Sequence, residues 1–213
     1  MLHFQQLNFE LSNFKLILYL RTMKVGLFFG SFNPIHVGHT VLANYMLEFT
    51  DLDKVWFVVS PHNPLKSKSS LLHERQRLEM VRLAIGDNND LKASDIEFRL
   101  PQPSYTIHTL TYLKEKYPNV EFALIMGADN LENFHKWKNH EEIIKHHRLY
   151  VYPRPDVKEN QWSLHPRVKQ VNAPLMEISS TQLRMAIKDK KDVRYFFQKA
   201  VWDYIKEMHF YEK

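Results

Sequence analysis

The stretch KVGLFFGSFNPIHVGH, from Lys24 to His39, decides the fold of this 213-residue chain. Residues 24–29 form a short apolar run that ends at Gly30, a pattern typical of a buried parallel strand. After a proline-containing loop, helical spacing over residues 37–49 predicts a helix. Strand, turn and helix in this order form the first half of a β-α-β unit, so we expect a parallel sheet.

The same alternation continues along the chain. The predicted strands are residues 24–29, 54–60, 95–98, 121–126, 148–152 and 168–171. The predicted helices are residues 37–49, 72–85, 106–116, 140–147, 180–188 and 194–208, and Gly86 is expected to end the second of them. We therefore predict an α/β fold, a Rossmann-like parallel sheet with helices on both faces and a small C-terminal helical part. Ligands of such sheets bind beyond the carboxyl ends of the strands, so functional residues are expected directly after each strand.

Composition excludes several classes of function. Hydrophobic residues make up 44% of the chain and charged residues 25%, which are ordinary values for a globular protein. The absence of cysteine excludes disulfides, thiolate zinc sites and cysteine nucleophiles. The chain contains neither GxGxxG nor GxxxxGKS/T, which excludes a dinucleotide fingerprint and a P-loop. A formal net charge of +5 without a concentrated Lys/Arg stripe fits small anions such as phosphates and argues against nucleic acid as a partner.

Residues 1–22 differ in composition from the rest, since they contain no glycine or proline. Met23 directly precedes the first predicted strand. We therefore expect residues 1–22 to be an N-terminal extension upstream of a start at Met23, and residues 23–213 to form a single domain. The apolar run at residues 16–20 is too short to span a membrane or to serve as a secretory signal, so we expect a cytoplasmic protein without a membrane partner.

Two histidines mark the turn after the first strand. His36 and His39 are three residues apart, so they can share a face where the helix begins, and Gly38 leaves space beside them. A helix N-terminus offers free N–H groups and partial positive charge, which predicts a site for a phosphate chain. A metal site is the alternative, although His-x-x-His supplies only two ligands. The pair His146 and His147 belongs to no motif and is expected at the surface.

A second element lies near the other end of the chain. Residues 178–184 read ISSTQLR, with hydroxyls placed to cap a helix and Arg184 one turn further on. Alone this is an ordinary capped helix. Together, GSFNPIHVGH and ISSTQLR resemble the HxGH and ISSTxxR motifs of the nucleotidyltransferase superfamily, and within it most closely the bacterial nicotinate-nucleotide adenylyltransferases. The resemblance extends from Met23 to Tyr204; many members carry Asp where Asn33 stands.

The resemblance implies a set of site residues. It assigns His36, His39 and Arg184 to catalysis, with both imidazoles on the triphosphate. The ATP site that it implies consists of Gly30, Ser31, Phe32, His36, His39, Gly127, Asp129, Ile178, Ser179, Ser180, Thr181 and Arg184. The mononucleotide site that it implies consists of Asn63, Lys66, Tyr105, Thr106 and Trp137. Thr106 is expected to cap its helix and to meet the nicotinate, and Trp137 is either a stacking partner of the pyridine ring or a half-buried structural residue.

The resemblance also implies a reaction. ATP and nicotinate mononucleotide would give nicotinate adenine dinucleotide and pyrophosphate in NAD biosynthesis, with Mg²⁺ held mainly by the ATP phosphates and not by a protein metal site. Nicotinamide mononucleotide and phosphopantetheine stay open as alternative acceptors. A non-catalytic nucleotide-binding module stays open as well, because a fold alone does not establish chemistry. The oligomeric state cannot be read from the sequence.

Overall fold

A computed structural model describes residues 22–61, 71–158 and 160–212 of the chain. Apart from Thr22, the expected N-terminal extension lies outside the described residues. Asn63 and Lys66, both predicted for the mononucleotide site, lie outside them as well. Within the described ranges, no helix combines the length and the apolar character needed to cross a membrane.

The described residues form one parallel sheet with the strand order β3-β2-β1-β4-β5-β6. The strands are β1 Met23–Gly30, β2 Lys54–Val59, β3 Leu91–Ser94, β4 Val120–Gly127, β5 Leu149–Tyr152 and β6 Val168–Gln170. From β1, the strands β2 and β3 follow on one side of the sheet, and β4, β5 and β6 follow on the other side. Where the order reverses, the loops after the two central strands diverge and leave a crevice at the carboxyl edge of the sheet.

Helices connect the strands and complete the end of the described chain. They are α1 Val37–Phe49, α2 Glu74–Ile85, α3 Thr106–Lys116, α4 Ala128–Glu132, α5 His140–His146, α6 Ser180–Lys188 and α7 Lys199–Glu207. The predicted α/β architecture is confirmed. Helix α2 ends at Gly86, as predicted, and the φ of 57° at this residue lies in the left-handed region that glycine adopts without strain.

Both faces of the sheet are buried, which explains why its central strands read as continuous apolar runs. Along β1, Val25 and Leu27 belong to one hydrophobic cluster and Phe28 to the other. β4 alternates in the same way, with Leu124 on the first face and Ile125 on the second. Helices must therefore cover both faces, in agreement with the prediction.

The strand predicted at residues 95–98 is wrong. This stretch contains a 3₁₀ turn, Ile96–Arg99, and strand β3 lies just before it. β3 is an edge strand of mixed composition, and its place is set by pairing with β2. There, Lys92 Nζ lies 4.0 Å from the centre of the Trp56 ring, a contact between strands that no local pattern indicates.

Two further predictions are corrected by the structure. The helix expected over residues 194–208 is divided into a 3₁₀ turn, Arg194–Phe196, and the separate helix α7. His147 is half-buried instead of lying on the surface, and its Nδ1 is 2.8 Å from the carbonyl oxygen of Phe122. His147 follows α5 in extended backbone, so the spacing of helix faces does not apply to it.

Candidate active site

The turn between β1 and α1 places both predicted histidines at the start of the helix. His36 is the N-cap residue of α1, and His39 is its third helical residue. The His36 N–H donates to His39 Nδ1 over 3.2 Å, and the two ring centroids are 3.9 Å apart. A Cβ atom on Gly38 would lie 3.0 Å from His36 Nδ1, so a glycine here makes room for the imidazole. The predicted shared face is confirmed.

The hydrogen bond to His39 Nδ1 determines which ring nitrogen carries the proton. Because Nδ1 accepts, the neutral ring carries its proton on Nε2, and this N–H is a suitable donor to a phosphate oxygen. The buried Phe32 ring packs edge-on against His39, with centroids 5.2 Å apart. The Phe32 side chain thus supports the imidazole from the core. Because this side chain is buried, Phe32 could contact a nucleotide only through its backbone.

His36 is the more deeply buried of the two histidines. It is 4% exposed, and its Nδ1 has no hydrogen-bond partner in the part of the chain that the structure describes. Burial, together with the positive charge of Arg154, lowers the pKa of His36 from 6.5 to about 4. A buried polar atom without a protein partner is uncommon, and this one lies against Gly38.

We expect His36 to titrate near pH 4 in an NMR experiment on the free protein. The folded-state pKa lies below the ordinary value, so the unfolded chain binds the proton first as the pH falls. Stability should therefore decline between pH 6.5 and about 4, and less so in His36→Gln, which lacks the titrating ring. A wild-type His36 midpoint at 6.5 or above would contradict this expectation.

The ISSTQLR segment reaches the same turn from far along the chain. The Ser179 hydroxyl caps α6, as predicted. Ser180 Oγ donates to the Pro34 carbonyl over 2.9 Å, and Arg184 Nη1 donates to the Asn33 carbonyl over 2.8 Å. The two sequence blocks, separated by about 150 residues, therefore meet in one site.

The other residues of this segment lie close to the same contacts. Thr181 Oγ1 accepts a hydrogen bond from Arg184 Nη2 over 3.3 Å. Ile178 lies beside Gly38, where its Cβ would be 3.8 Å from a Cβ built on the glycine. The start of α6 thus lies against the start of α1.

Strand β4 brings two more predicted residues to this edge. β1 and β4 are paired, and they end at Gly30 and Gly127. A Cβ on Gly127 would collide with Asp129 Oδ1, so the glycine allows this carboxylate to lie over the strand end. Asp129 Oδ1 is 3.5 Å from Arg154 Nε. Asp129 thus lies at the carboxyl end of β4, and its predicted place in the ATP site stays a prediction.

The predicted mononucleotide residues Tyr105 and Trp137 lie on neighbouring segments, because Lys138 Nζ is 4.6 Å from the centre of the Tyr105 ring. Thr106 is the first residue of α3 and Tyr105 its N-cap residue, so the prediction that Thr106 caps the helix is wrong by one position. Trp137 is half-buried against Phe134, with ring centroids 5.6 Å apart. Its packing role is clear, and its stacking on a ligand stays a prediction.

Comparison with known proteins identifies the family to which this chain belongs. Residues 27–186 match the family model described as cytidylyltransferase-like, which is well over half of the chain. The chain belongs to the cytidylyltransferase-like family. The family resemblance predicted from the two sequence blocks is confirmed.

Individual relatives of this cytidylyltransferase-like chain are more specific. A Flavobacterium johnsoniae protein named "Probable nicotinate-nucleotide adenylyltransferase" is 56% identical over 193 residues, covering 90% of this chain and 100% of the relative. A Bacteroides thetaiotaomicron protein of the same name is 49% identical over 185 residues, covering 87% and 92%. The solved structure of Plasmodium falciparum nicotinic acid mononucleotide adenylyltransferase complexed with NaAD has a TM-score of 0.75 at 20% identity, covering 89% of this chain and 98% of that one. This last likeness concerns the fold.

One arginine of the cytidylyltransferase-like site, Arg77 in α2, is missing from the sequence predictions. It is fully buried, and its guanidinium donates to the carbonyls of Leu72, Ser31, Ser60 and Pro61. These carbonyls belong to the segments after β1 and β2, so one side chain fixes the carboxyl ends of two neighbouring strands. Its residue type suggests a solvent position, but Arg77 lies three and four residues before Met80 and Val81, so helical spacing places it on the buried face of α2. That spacing is the signal that could have identified it.

A second unpredicted arginine, Arg154, follows β5 between two prolines. Its guanidinium lies 5.2 Å from the centre of the Tyr152 ring, and its charge acts on His36. Arg154 Nε is buried and makes no hydrogen bond within the described ranges. The carboxylate of Asp129, with Oδ1 3.5 Å from Arg154 Nε, already lies beside this cation. The expectation that functional residues follow each strand could have identified it.

Proposed function

We propose that this protein transfers the adenylyl group of ATP to nicotinate mononucleotide and releases pyrophosphate, in NAD biosynthesis. The observation that carries the proposal is the meeting of the two phosphate-handling blocks. Arg184 and Ser180 hydrogen-bond directly to the carbonyls of Asn33 and Pro34, in the turn that presents both histidines. The names of the relatives at 49% and 56% identity support the acceptor. Because ATP is the co-substrate, we expect the enzyme to act in the cytoplasm.

Each part of the site has a proposed role. His39 donates to the α-phosphate region from Nε2, neutral His36 contacts the triphosphate, and Arg184 meets the β- or γ-phosphate. The nucleotide is further bound by Gly30, Ser31, Phe32, Gly127, Asp129, Ile178, Ser179, Ser180 and Thr181. Backbone N–H groups at the start of α1 add partial positive charge.

The chemistry requires little from the protein beyond alignment and charge neutralisation. A phosphate oxygen of the mononucleotide attacks the α-phosphorus of ATP, the bond between that phosphorus and the bridging oxygen breaks, and pyrophosphate leaves with the electron pair. The attacking phosphate is already an anion at neutral pH, so no general base is needed. Preorganised donors that match the growing charge are the main contribution of such a site.

We propose Mg²⁺ as the accompanying ion. Mg²⁺ in nucleotide sites keeps several waters and binds one or two carboxylates together with substrate phosphates. Asp129 offers a carboxylate oxygen at the end of β4, although Arg154 already faces it. We therefore expect the ion to be held mainly by the phosphates of ATP, where it offsets the charge of the leaving pyrophosphate.

The acceptor is proposed to bind near Tyr105, Thr106 and Trp137, together with Asn63 and Lys66. The ammonium group of Lys138 lies against the Tyr105 ring. Lys138 is exposed, so water screens its charge, but a cation in this place still attracts an acceptor that carries a ring carboxylate. This charge supports nicotinate mononucleotide over the nicotinamide form.

The direct test is pyrophosphate release with ATP and Mg²⁺, offering nicotinate mononucleotide and nicotinamide mononucleotide in parallel. We expect kcat/KM to be clearly higher for the nicotinate form. A preference for the nicotinamide form would keep the reaction and overturn the acceptor. Release with neither would contradict the proposal, and phosphopantetheine and then nucleotide binding without turnover would be examined next.

A further inference from the structure

The segment after α7 returns to the phosphate turn. His209 and Tyr211 have φ values of 53° and 64°, in the left-handed region, and these two residues reverse the direction of the chain. Between them, Phe210 is buried and packs edge-on against Tyr204 of α7, with ring centroids 5.4 Å apart. As a result the Tyr211 hydroxyl donates to Asn33 Oδ1 over 2.8 Å.

Asn33 is the residue through which this contact reaches the site. It is 4% exposed, and its Oδ1 also accepts a hydrogen bond from the Leu72 N–H over 3.2 Å. A backbone N–H can only donate, so this bond fixes which end of the amide faces Tyr211. The Asn33 carbonyl in turn accepts from Arg184, and His36 follows three residues later. Asn33 therefore joins the Tyr211 segment, the start of α2 and the arginine of the ISSTQLR block.

The surroundings keep the Tyr211 hydroxyl a donor. Burial raises the pKa of Tyr211 well above 10, and this effect exceeds the opposing influence of the nearby positive charges of Arg184 and Arg77. The phenol is therefore protonated at any pH at which the enzyme would work. A protonated hydroxyl held over 2.8 Å by a buried acceptor has one orientation, which is the property of a rigid support.

We propose that Tyr211 is a positioning residue for the phosphate turn, acting through Asn33 on the placement of Arg184 and the two histidines. The kcat measurements that test this proposal assume the adenylyl transfer proposed above. No resembling motif includes this tyrosine. Its role follows from the contacts of its hydroxyl group, which removal of a single oxygen atom can test.

The first experiment is Tyr211→Phe, which keeps the ring and removes the donor. Loss of one hydrogen bond of ordinary strength predicts a fall in kcat of about fivefold to tenfold, with KM for both substrates changed less. Tyr204→Phe is the matched control, since it removes a hydroxyl from the neighbouring helix at a site away from Asn33. It should retain wild-type kcat. An unchanged kcat in Tyr211→Phe would overturn the proposal.

The second experiment tests whether the effect passes through Asn33. In an Asn33→Ala background, Tyr211→Phe should have no further effect on kcat, because its acceptor is already gone. Multiplicative effects of the two changes would show that Tyr211 acts elsewhere and would overturn the proposal. A general loss of stability would not make the effect of one substitution depend on the other. Thermal unfolding of each variant measures stability separately.

A third measurement separates this proposal from the proposed function. The imidazole resonances of His36 and His39 are recorded in the free protein, without nucleotide. Tyr211→Phe should shift them and Tyr204→Phe should not, whether or not the wild-type protein turns over ATP. If the wild-type protein is inactive but the shifts occur, the proposed function fails and the positioning role stands. Unchanged resonances in Tyr211→Phe would overturn the positioning role.

Discussion

Replacing His39 with alanine is expected to lower kcat for adenylyl transfer by about 10²–10³-fold, the usual cost of removing one preorganised charge-stabilising donor. The structure gives the reason. The His36 N–H fixes His39 Nδ1 as an acceptor, the Phe32 ring supports the imidazole from the core, and Nε2 carries the proton that a phosphate oxygen needs. Alanine at this position leaves the helix intact and removes the donor, so the loss should be in kcat more than in folding.

The measurement is steady-state pyrophosphate release at saturating ATP and acceptor, with circular dichroism to verify the fold. His146→Ala is the matched control, because His146 is exposed at the end of α5 and pairs only with the exposed Glu142 in the contacts of the described chain. It should keep wild-type kcat. A folded His39→Ala enzyme with near-normal turnover would remove His39 from the mechanism.

The second large effect concerns stability. Arg77→Met is expected to lower the free energy of unfolding by about 3 kcal/mol or more, since each buried carbonyl left without a donor costs roughly 1–3 kcal/mol. Arg77 donates to four carbonyls, and methionine fills much of the same volume without offering any donor. Burial lowers the pKa of Arg77 to about 10, so the lost group is a cation at neutral pH.

Urea unfolding gives this free energy directly, and the comparison variant is Arg82→Met. Arg82 lies on the same helix but is exposed, and it pairs with the exposed Glu79. We expect its unfolding midpoint to stay close to that of the wild-type protein. The free energy of unfolding of Arg77→Lys should lie between those of Arg77→Met and Arg82→Met, because lysine keeps the charge but not the planar fork of donors. A loss below about 0.5 kcal/mol in Arg77→Met would place Arg77 among ordinary surface residues and contradict its role.

The sequence was sufficient for those parts of the fold that depend on local patterns. The helices at 106–116 and 180–188 have the predicted bounds, since a proline follows the first and a capping serine precedes the second. Both faces of a parallel sheet need apolar residues, so the central strands were recognisable as well. The edge strand β3 was not recognisable from the sequence, because its position is determined by pairing with β2.

The same distinction between local and long-range features applies to the candidate site. The histidine turn and the ISSTQLR cap are continuous segments with a local geometry, and the sequence identified both. Arg77 and Tyr211 owe their roles to neighbours that are distant along the chain. Glu97 is a similar case, with 2% exposure and a hydrogen bond from Thr109 Oγ1 over 2.8 Å. Residue type alone does not distinguish these residues from ordinary polar ones on a surface, although helical spacing places Arg77 on the buried face of α2.

The contacts of Asn33 have a consequence for the order in which the enzyme is made. Its partners Arg184 and Tyr211 lie 151 and 178 residues further along the chain. At a synthesis rate of about 5–20 residues per second, roughly 10 to 35 s pass between translation of the turn and translation of its last support. During that interval the ribosome carries a chain whose turn can already contact Arg77 and Leu72 but still lacks its contacts with Arg184 and Tyr211. Because the Tyr211 hydroxyl is proposed to contribute only about fivefold to tenfold to kcat, a chain whose Tyr211 segment has not yet reached Asn33 should be less active than the finished protein, and not inactive.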